Sequence, residues 1–296
     1  MSFTSRSPRA LDRVTRVLYG VAVPDSEPEL DQEHRVEFHS NLGDLRDDIV
    51  RLGALAVETI GRGTAALLDR DLHAAQRLID SDDRIDALTL RIEESCIRLI
   101  ALQAPMARDL RFIVSSLRVA SELERTADLM VNIAKASRRM YDVSIDPKVR
   151  SLIEDMSIEA GSLTRRAIDA YATDDEALAS ALDDIDDTLD DLQTSFIEAV
   201  FATQRASSSS GIRAAVQLAL IGRYYERIGD HAVNIGERVA YMVTGWLPEH
   251  DALARVELRD RQGDTGSSGT FDDEPTWVMS APASAERTSG AWPAVG

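Results

Sequence analysis

From Arg35 onward, apolar residues recur at steps of three and four: Phe38, Leu42, Leu45, Ile49, Leu52, Leu55 and Ile60. That period keeps one face apolar and predicts a long helix with its face buried. The polar break Asp69-Arg70-Asp71 ends it, and a second helix is predicted over 73–102. Pro105 interrupts the pattern, and Asp109 is predicted to cap a third helix running to Met140. After Asp146-Pro147 the cycle restarts. A helix over 148–172, a break at Thr173-Asp174-Asp175, a helix to Gln204, a loop over 206–211 and a sixth helix follow. Gly245 and Pro248 supply its stop. The prediction is an all-α chain of two tandem antiparallel three-helix bundles, over 35–142 and 146–246. The Pro-punctuated segment 1–34, with its scattered Arg6, Arg9, Arg13 and Arg16, and the Ser/Gly/Asp-rich segment 247–296 read as flexible extensions.

Composition narrows the function classes. Apolar residues make up 44% of the chain but aromatics only 5%, which suits helix packing and leaves few strand-like runs. The single cysteine, Cys96, excludes an internal disulfide framework and fits a reducing, cytoplasmic setting. It falls on the stripe Leu88, Ile92, Cys96, Leu99 and is expected in the core. A net charge of −18 argues against nucleic acid and against an anionic membrane surface, and favours cationic partners, metal ions among them. No apolar run is long enough to span a bilayer.

The chemistry lies in a duplication. Residues 109–140 and 211–242 overlay without gaps, with nine identical positions. These include the pairs Glu124/Glu226, Arg125/Arg227, Asp128/Asp230 and Asn132/Asn234. The chain has three asparagines, and two occupy this one matched position. Matched apolar residues would serve packing; matched Glu, Asp and Asn on one helix face point to a site. One helix earlier, Asp82 and Asp86 align with Asp186 and Asp190, again four apart. Each repeat thus offers two acids from its second helix and two from its third. Such a cluster repels itself until a cation neutralises it, and oxygen ligands without cysteine select a hard ion such as Mg²⁺, Mn²⁺, Ca²⁺ or iron. Arg125 and Arg227 are expected to pair with neighbouring carboxylates. His231 matches Leu129 in the other repeat and is expected at the surface or in a cleft.

Glu-Arg-x-x-Asp-x-x-x-Asn on the third helix of each repeat, with Asp-x-x-x-Asp on the helix before, resembles the PhoU family over residues 35–244. The first copy has Ala127 where the family commonly has glycine; the second has Gly229. The resemblance implies a cytoplasmic, often dimeric, non-enzymatic regulator that restrains phosphate uptake and starvation signalling. Its implied partners are the ATPase subunit of the Pst phosphate transporter and a sensor histidine kinase, with membrane contact only through them. Carried over residue by residue, the implied metal ligands are Asp82, Asp86, Glu124 and Asp128 in the first repeat. In the second they are Asp186, Asp190, Glu226 and Asp230, holding iron, manganese, magnesium or zinc. Asn132 and Asn234 are expected to support the ligands or touch a partner.

Two other classes compete. A ferritin-like di-metal enzyme would carry Glu-x-x-His on two helices. The residues three before the histidines are Asp31, Val36, Arg70, Ile228 and Leu247, so that motif is absent. A plain helical scaffold with solvated acids is the remaining reading.

Overall fold

The three- and four-residue apolar steps are wound as helices in the computed structural model, which describes residues 27–203 and 209–246. The first half comprises α1 (Glu27–Leu68), α2 (Leu72–Asp80), α3 (Asp82–Gln103) and α4 (Ala107–Arg139). The second comprises α5 (Pro147–Thr173), α6 (Glu176–Ser180), α7 (Leu182–Thr203) and α8 (Ser209–Thr244). Among the described residues there is no strand.

The boundaries depart from the expected ones for local reasons. α1 starts at Glu27, within the segment expected to be flexible, because Pro28 in a first turn lacks only an N–H that would have no partner there. The second helix expected in each repeat is two, broken at Ser81 and at Ala181. Neither break carries glycine or proline. The Ser81 hydroxyl and backbone N–H bond back to the last carbonyls of α2, including Leu78 O, and close that helix. α4 opens at Ala107, so Asp109 lies inside the first turn, where its charge faces the positive helix end without capping it. Asp146 does cap α5, accepting from Lys148 N–H at 2.8 Å, with Pro147 at the first helical position. Gly245, at φ 79°, ends α8 with its N–H on Tyr241 O. Residues 1–26 and the extension 247–296 lie outside the described residues.

The duplication extends into backbone detail. Arg70 and Asp174, 104 positions apart, both take left-handed φ, 55° and 54°. The next residues, Asp71 and Asp175, both cap short helices by accepting from the N–H three residues on. Helices α1, α3 and α4 pack together as one bundle and α5, α7 and α8 as the other. The bundles join through α4 against α8 and α1 against α5.

The joint is pseudo-symmetric. Thr64 on α1 meets Ser157 on α5 at 2.8 Å, and at the positions shifted by 104, Gly53 lies against Ile168. A methyl at Gly53 would come within 2.5 Å of the Ile168 side chain, so glycine is what allows the helices to approach there. Arg46 near the start of α1 donates to the carbonyls of Tyr171 and Ala172 and to Asp174, at the end of α5. Its counterpart Arg150 donates to the carbonyl of Leu68 and to Asp69, at the end of α1. Each arginine therefore satisfies carbonyls that the partner helix leaves without an intrahelical bond, at that helix's negative end. One continuous apolar cluster, from Leu45 through Cys96 to Met242, fills both bundles, and Cys96 is fully buried in it as expected.

Candidate metal centre

The second and third helices of each bundle lie side by side, so the Asp-x-x-x-Asp step and the Glu-x-x-x-Asp step meet on one face. In the first repeat, α3 supplies a half-buried Asp82 and an exposed Asp86, and α4 supplies a half-buried Glu124 and an exposed Asp128. Burial, followed by the charges of Asp86 and Asp128, holds the Asp82 carboxyl above its ordinary range, with Lys135 opposing. Burial, followed by Asp128 and Asp86, does the same to Glu124. All four expected acids thus feel one another. Asp86, Thr89, Glu93, Ser121 and Glu124 line an open depression of about 220 Å³, and the buried Thr89 hydroxyl there makes no hydrogen bond.

The second repeat repeats the arrangement with a tighter fit. Asp186 is half-buried on α7 with an exposed Asp190, and Glu226 and Asp230 are half-buried on α8. Burial, then the charges of Asp190 and Asp230, raise the Asp186 carboxyl to about 6. The cation that opposes the shift in the first repeat, Lys135, aligns with Glu237. Asp186 also lies directly against Gly229. A methyl at Gly229 would overlap Asp186 Oδ1 and reach 2.7 Å from Leu189, so this glycine makes the seat for the carboxylate. In the first repeat Ala127 fills that place, and it is fully buried without breaking the helix pair.

Asp186 Oδ1 and Glu226 Oε2 are buried and make no hydrogen bond. A buried carboxylate oxygen without a donor is costly, and a hard cation is the ligand that suits it. The donor set therefore fits the expected ion. Among the described residues, however, no three His, Cys, Asp or Glu side chains already converge to hold one.

The arginines pair with carboxylates, as expected. Arg125 lies 3.9 Å from Glu122 and Arg227 3.8 Å from Asp230. Arg223 is bound to Glu226 and has no counterpart in the first repeat, where Ser121 aligns.

His231 is not at the surface. It is 5% exposed in the α4–α8 joint, where its Nδ1–H donates to Glu122 Oε2 at 2.6 Å. Asn234 donates to the same oxygen at 3.3 Å. One of the two matched asparagines thus braces the joint between the bundles. Burial raises the Glu122 carboxyl, but His231 and Asn234 outweigh it and hold it below the ordinary range. Sequence reasoning missed Glu122 because the repeat hides it: its counterpart is Tyr224.

These features define an all-helical protein of two repeats, each presenting a carboxylate face on its second and third helices. The chain matches the PhoU domain twice, over residues 49–137 and 153–239. The phosphate-specific transport system accessory protein PhoU homolog 1 of Mycobacterium tuberculosis is 36% identical over 221 residues, which is 74% of this chain and 99% of that protein. The crystal structure of PhoU from Pseudomonas aeruginosa superposes with a TM-score of 0.66 at 28% identity, covering 71% of this chain and all of that one. The phosphate transport system regulatory protein PhoU from Streptococcus pneumoniae does so with a TM-score of 0.65 at 28% identity, over 71% and 98%. This chain belongs to the PhoU family.

Proposed function

We propose that the protein is a negative regulator of phosphate uptake and of phosphate-starvation signalling. It acts by binding: as a helical adaptor between the ATPase subunit of the Pst phosphate transporter and a sensor histidine kinase, in the cytoplasm and as a homodimer. The reading rests on the doubled Glu-Arg-x-x-Asp-x-x-x-Asn face in a chain whose relatives are named accessory or regulatory proteins of phosphate transport systems. Among the described residues no helix is long and apolar enough to cross a membrane, which is consistent with a role at the transporter's soluble subunit.

Asp82, Asp86, Glu124 and Asp128, and separately Asp186, Asp190, Glu226 and Asp230, would hold iron, manganese, magnesium or zinc. The ion would neutralise the mutual repulsion of each set and stiffen its helix pair. The Arg223–Glu226 and Arg227–Asp230 pairs keep the second face partly neutral before the ion arrives.

The deciding experiment is alkaline phosphatase activity in phosphate-replete medium, in a strain lacking this protein and in its parent. Derepression in the mutant, reversed by the wild-type chain, is expected. Equal activity in both strains would overturn the regulatory role. Metal content of the purified protein, compared with an Asp128→Asn/Asp230→Asn variant, tests the metal separately.

A further inference from the structure

Beyond Asp86 on α3 and just before Glu124 on α4, the two carboxylate faces stop being copies. In the first repeat Thr89, Leu90 and Glu93 of α3 and Ser121 of α4 join Asp86 and Glu124 around the depression of about 220 Å³. Three carboxylates and two hydroxyls therefore line it, and no basic side chain does. Arg125 follows Glu124 in the chain and eases its charge, but its guanidinium lies outside the lining, 3.9 Å from Glu122. Lys135 acts at the other end of the face, on Asp82. Among the described residues Asp86, Glu93 and Glu124 have no ion-pair partner.

Thr89 is 8% exposed, and its Oγ1 makes no hydrogen bond. Thr59, Thr64, Thr126 and Thr164 each donate to the carbonyl four residues before them, the usual resort of a helical threonine. Thr89 does not, so a buried hydroxyl in this wall lacks the partner that burial ordinarily demands. The second repeat shows what the place takes. Ser121 is matched there by Arg223, which binds Glu226, the counterpart of Glu124. Glu93 is matched by Ile197, which packs against the core. A fixed cation and an apolar side chain thus stand in the second repeat where the first has an acid and open space.

We propose that this depression is a divalent-cation position of its own, holding a hydrated Mg²⁺ or Mn²⁺, and that Arg223 takes the ion's place in the second repeat. The proposal rests on the reading that the carboxylate faces hold metal, and it adds Thr89, Glu93 and Ser121 to the acids of the first face. Among the described residues no three His, Cys, Asp or Glu side chains converge on one point. That suits an ion bound through one or two carboxylates that keeps several of its waters. The depression has room for such an ion with water around it. One of those waters supplies the partner that Thr89 Oγ1 lacks, and Ser121 can take another. The two faces then neutralise this end differently: the first binds an ion where the second carries its own charge.

The test titrates the full chain, stripped of metal with a chelator, with Mn²⁺, and counts bound ions from the electron spin resonance of the free ion. Wild type is compared with Ser121→Arg, which copies the second repeat, and with Glu93→Gln, which leaves the four acids of the face in place. Each variant is expected to bind one Mn²⁺ fewer per chain than wild type. Thr89→Val should keep the thermal midpoint and weaken the same ion about three- to tenfold, the worth of one hydrogen bond. The reverse exchange, Arg223→Ser with Ile197→Glu, should gain one Mn²⁺. Equal numbers in wild type, Ser121→Arg and Glu93→Gln would overturn the proposal and leave metal at the four-acid sets standing. No gain in the reverse exchange would also overturn it. A wild type that binds no Mn²⁺ at all would overturn the metal reading of both faces, and this proposal with it.

Discussion

His231 on α8 and Glu122 on α4 are hydrogen-bonded at 2.6 Å inside the joint between the two bundles, with Asn234 on the same carboxylate. The positions related to them by the repeat are Leu129 and Tyr224, so this buried polar contact exists on one side of the pseudo-symmetry only. Partly buried Leu129 and Tyr224 in one place and an ionisable pair in the other make the joint chemically directional, although its helices are near-copies.

Removing one partner should therefore cost more than removing both. Glu122→Ala leaves His231 buried without its acceptor, and a loss of about 1–3 kcal/mol is expected in urea denaturation. His231→Leu leaves the carboxylate half-buried and should cost a similar amount. The double variant Glu122→Tyr/His231→Leu copies the other half of the joint and should recover most of the loss. Additive losses in the double variant would show that the two residues act independently.

The two clamp arginines should rank by their contacts. Arg46 donates to two carbonyls and Asp174 and stacks 4.9 Å from the Phe112 ring, whereas Arg150 reaches one carbonyl and two exposed ion pairs, with Asp69 at 3.4 Å and Glu154 at 3.2 Å. Arg46→Ala is expected to lower stability by about 2–3 kcal/mol and Arg150→Ala by about 1 kcal/mol. Thermal unfolding of the two variants side by side gives the ranking, and equal shifts in Tm would contradict it.

Much of this architecture is legible in the sequence, and the reason is the duplication. The breaks at Asp69–Asp71 and Thr173–Asp175 announce themselves as polar interruptions, and the acids of both faces appear because each has a copy to match. The features missed are those where matching fails. Glu122 and His231 have no polar counterparts, and nothing in one chain says that an unmatched residue faces another helix. The breaks at Ser81 and Ala181 are made by hydrogen-bond geometry in residues that helices ordinarily tolerate. Arg46 and Arg150 do stand 104 apart, yet arginine on a helix surface carries no signal until the end of the neighbouring helix is known to lie beside it.

Gly229 should be intolerant of a methyl group. The added carbon of Gly229→Ala would overlap Asp186 Oδ1 and crowd Leu189, so the carboxylate or the helix must shift. Helix propensity favours alanine by about 1 kcal/mol, but the overlap is expected to outweigh it, for a net loss of about 1–2 kcal/mol. The same change should weaken metal uptake at the second face while leaving the first unaltered, because Ala127 already occupies the matching place there. Isothermal titration of the metal-free variant with Mn²⁺ separates the two effects. Unchanged binding at the second face would mean that Asp186 is not a ligand.

The raised Asp186 carboxyl makes a signed prediction for the metal-free protein. Burial first, and then Asp190 and Asp230, lift it from 3.8 unfolded to about 6 folded. A group with a raised folded value favours folding most when protonated, so its contribution is complete below about pH 4 and is lost as pH rises through 6. Asp186 is only half-buried, and solvent screening reduces the effect to roughly 1 kcal/mol. Asp186→Asn stays neutral at every pH, so its stability relative to wild type should rise between pH 4 and 6.5 and then level off. A bound cation reverses the sign, since it competes with the proton and favours the ionised carboxylate. Wild type with saturating Mn²⁺ should therefore gain stability across the same interval in which the metal-free protein loses it. Urea midpoints at four or five pH values, with and without Mn²⁺, are sufficient. Parallel curves for Asp186→Asn and wild type in both conditions would show that this carboxyl neither titrates in the folded protein nor meets the ion.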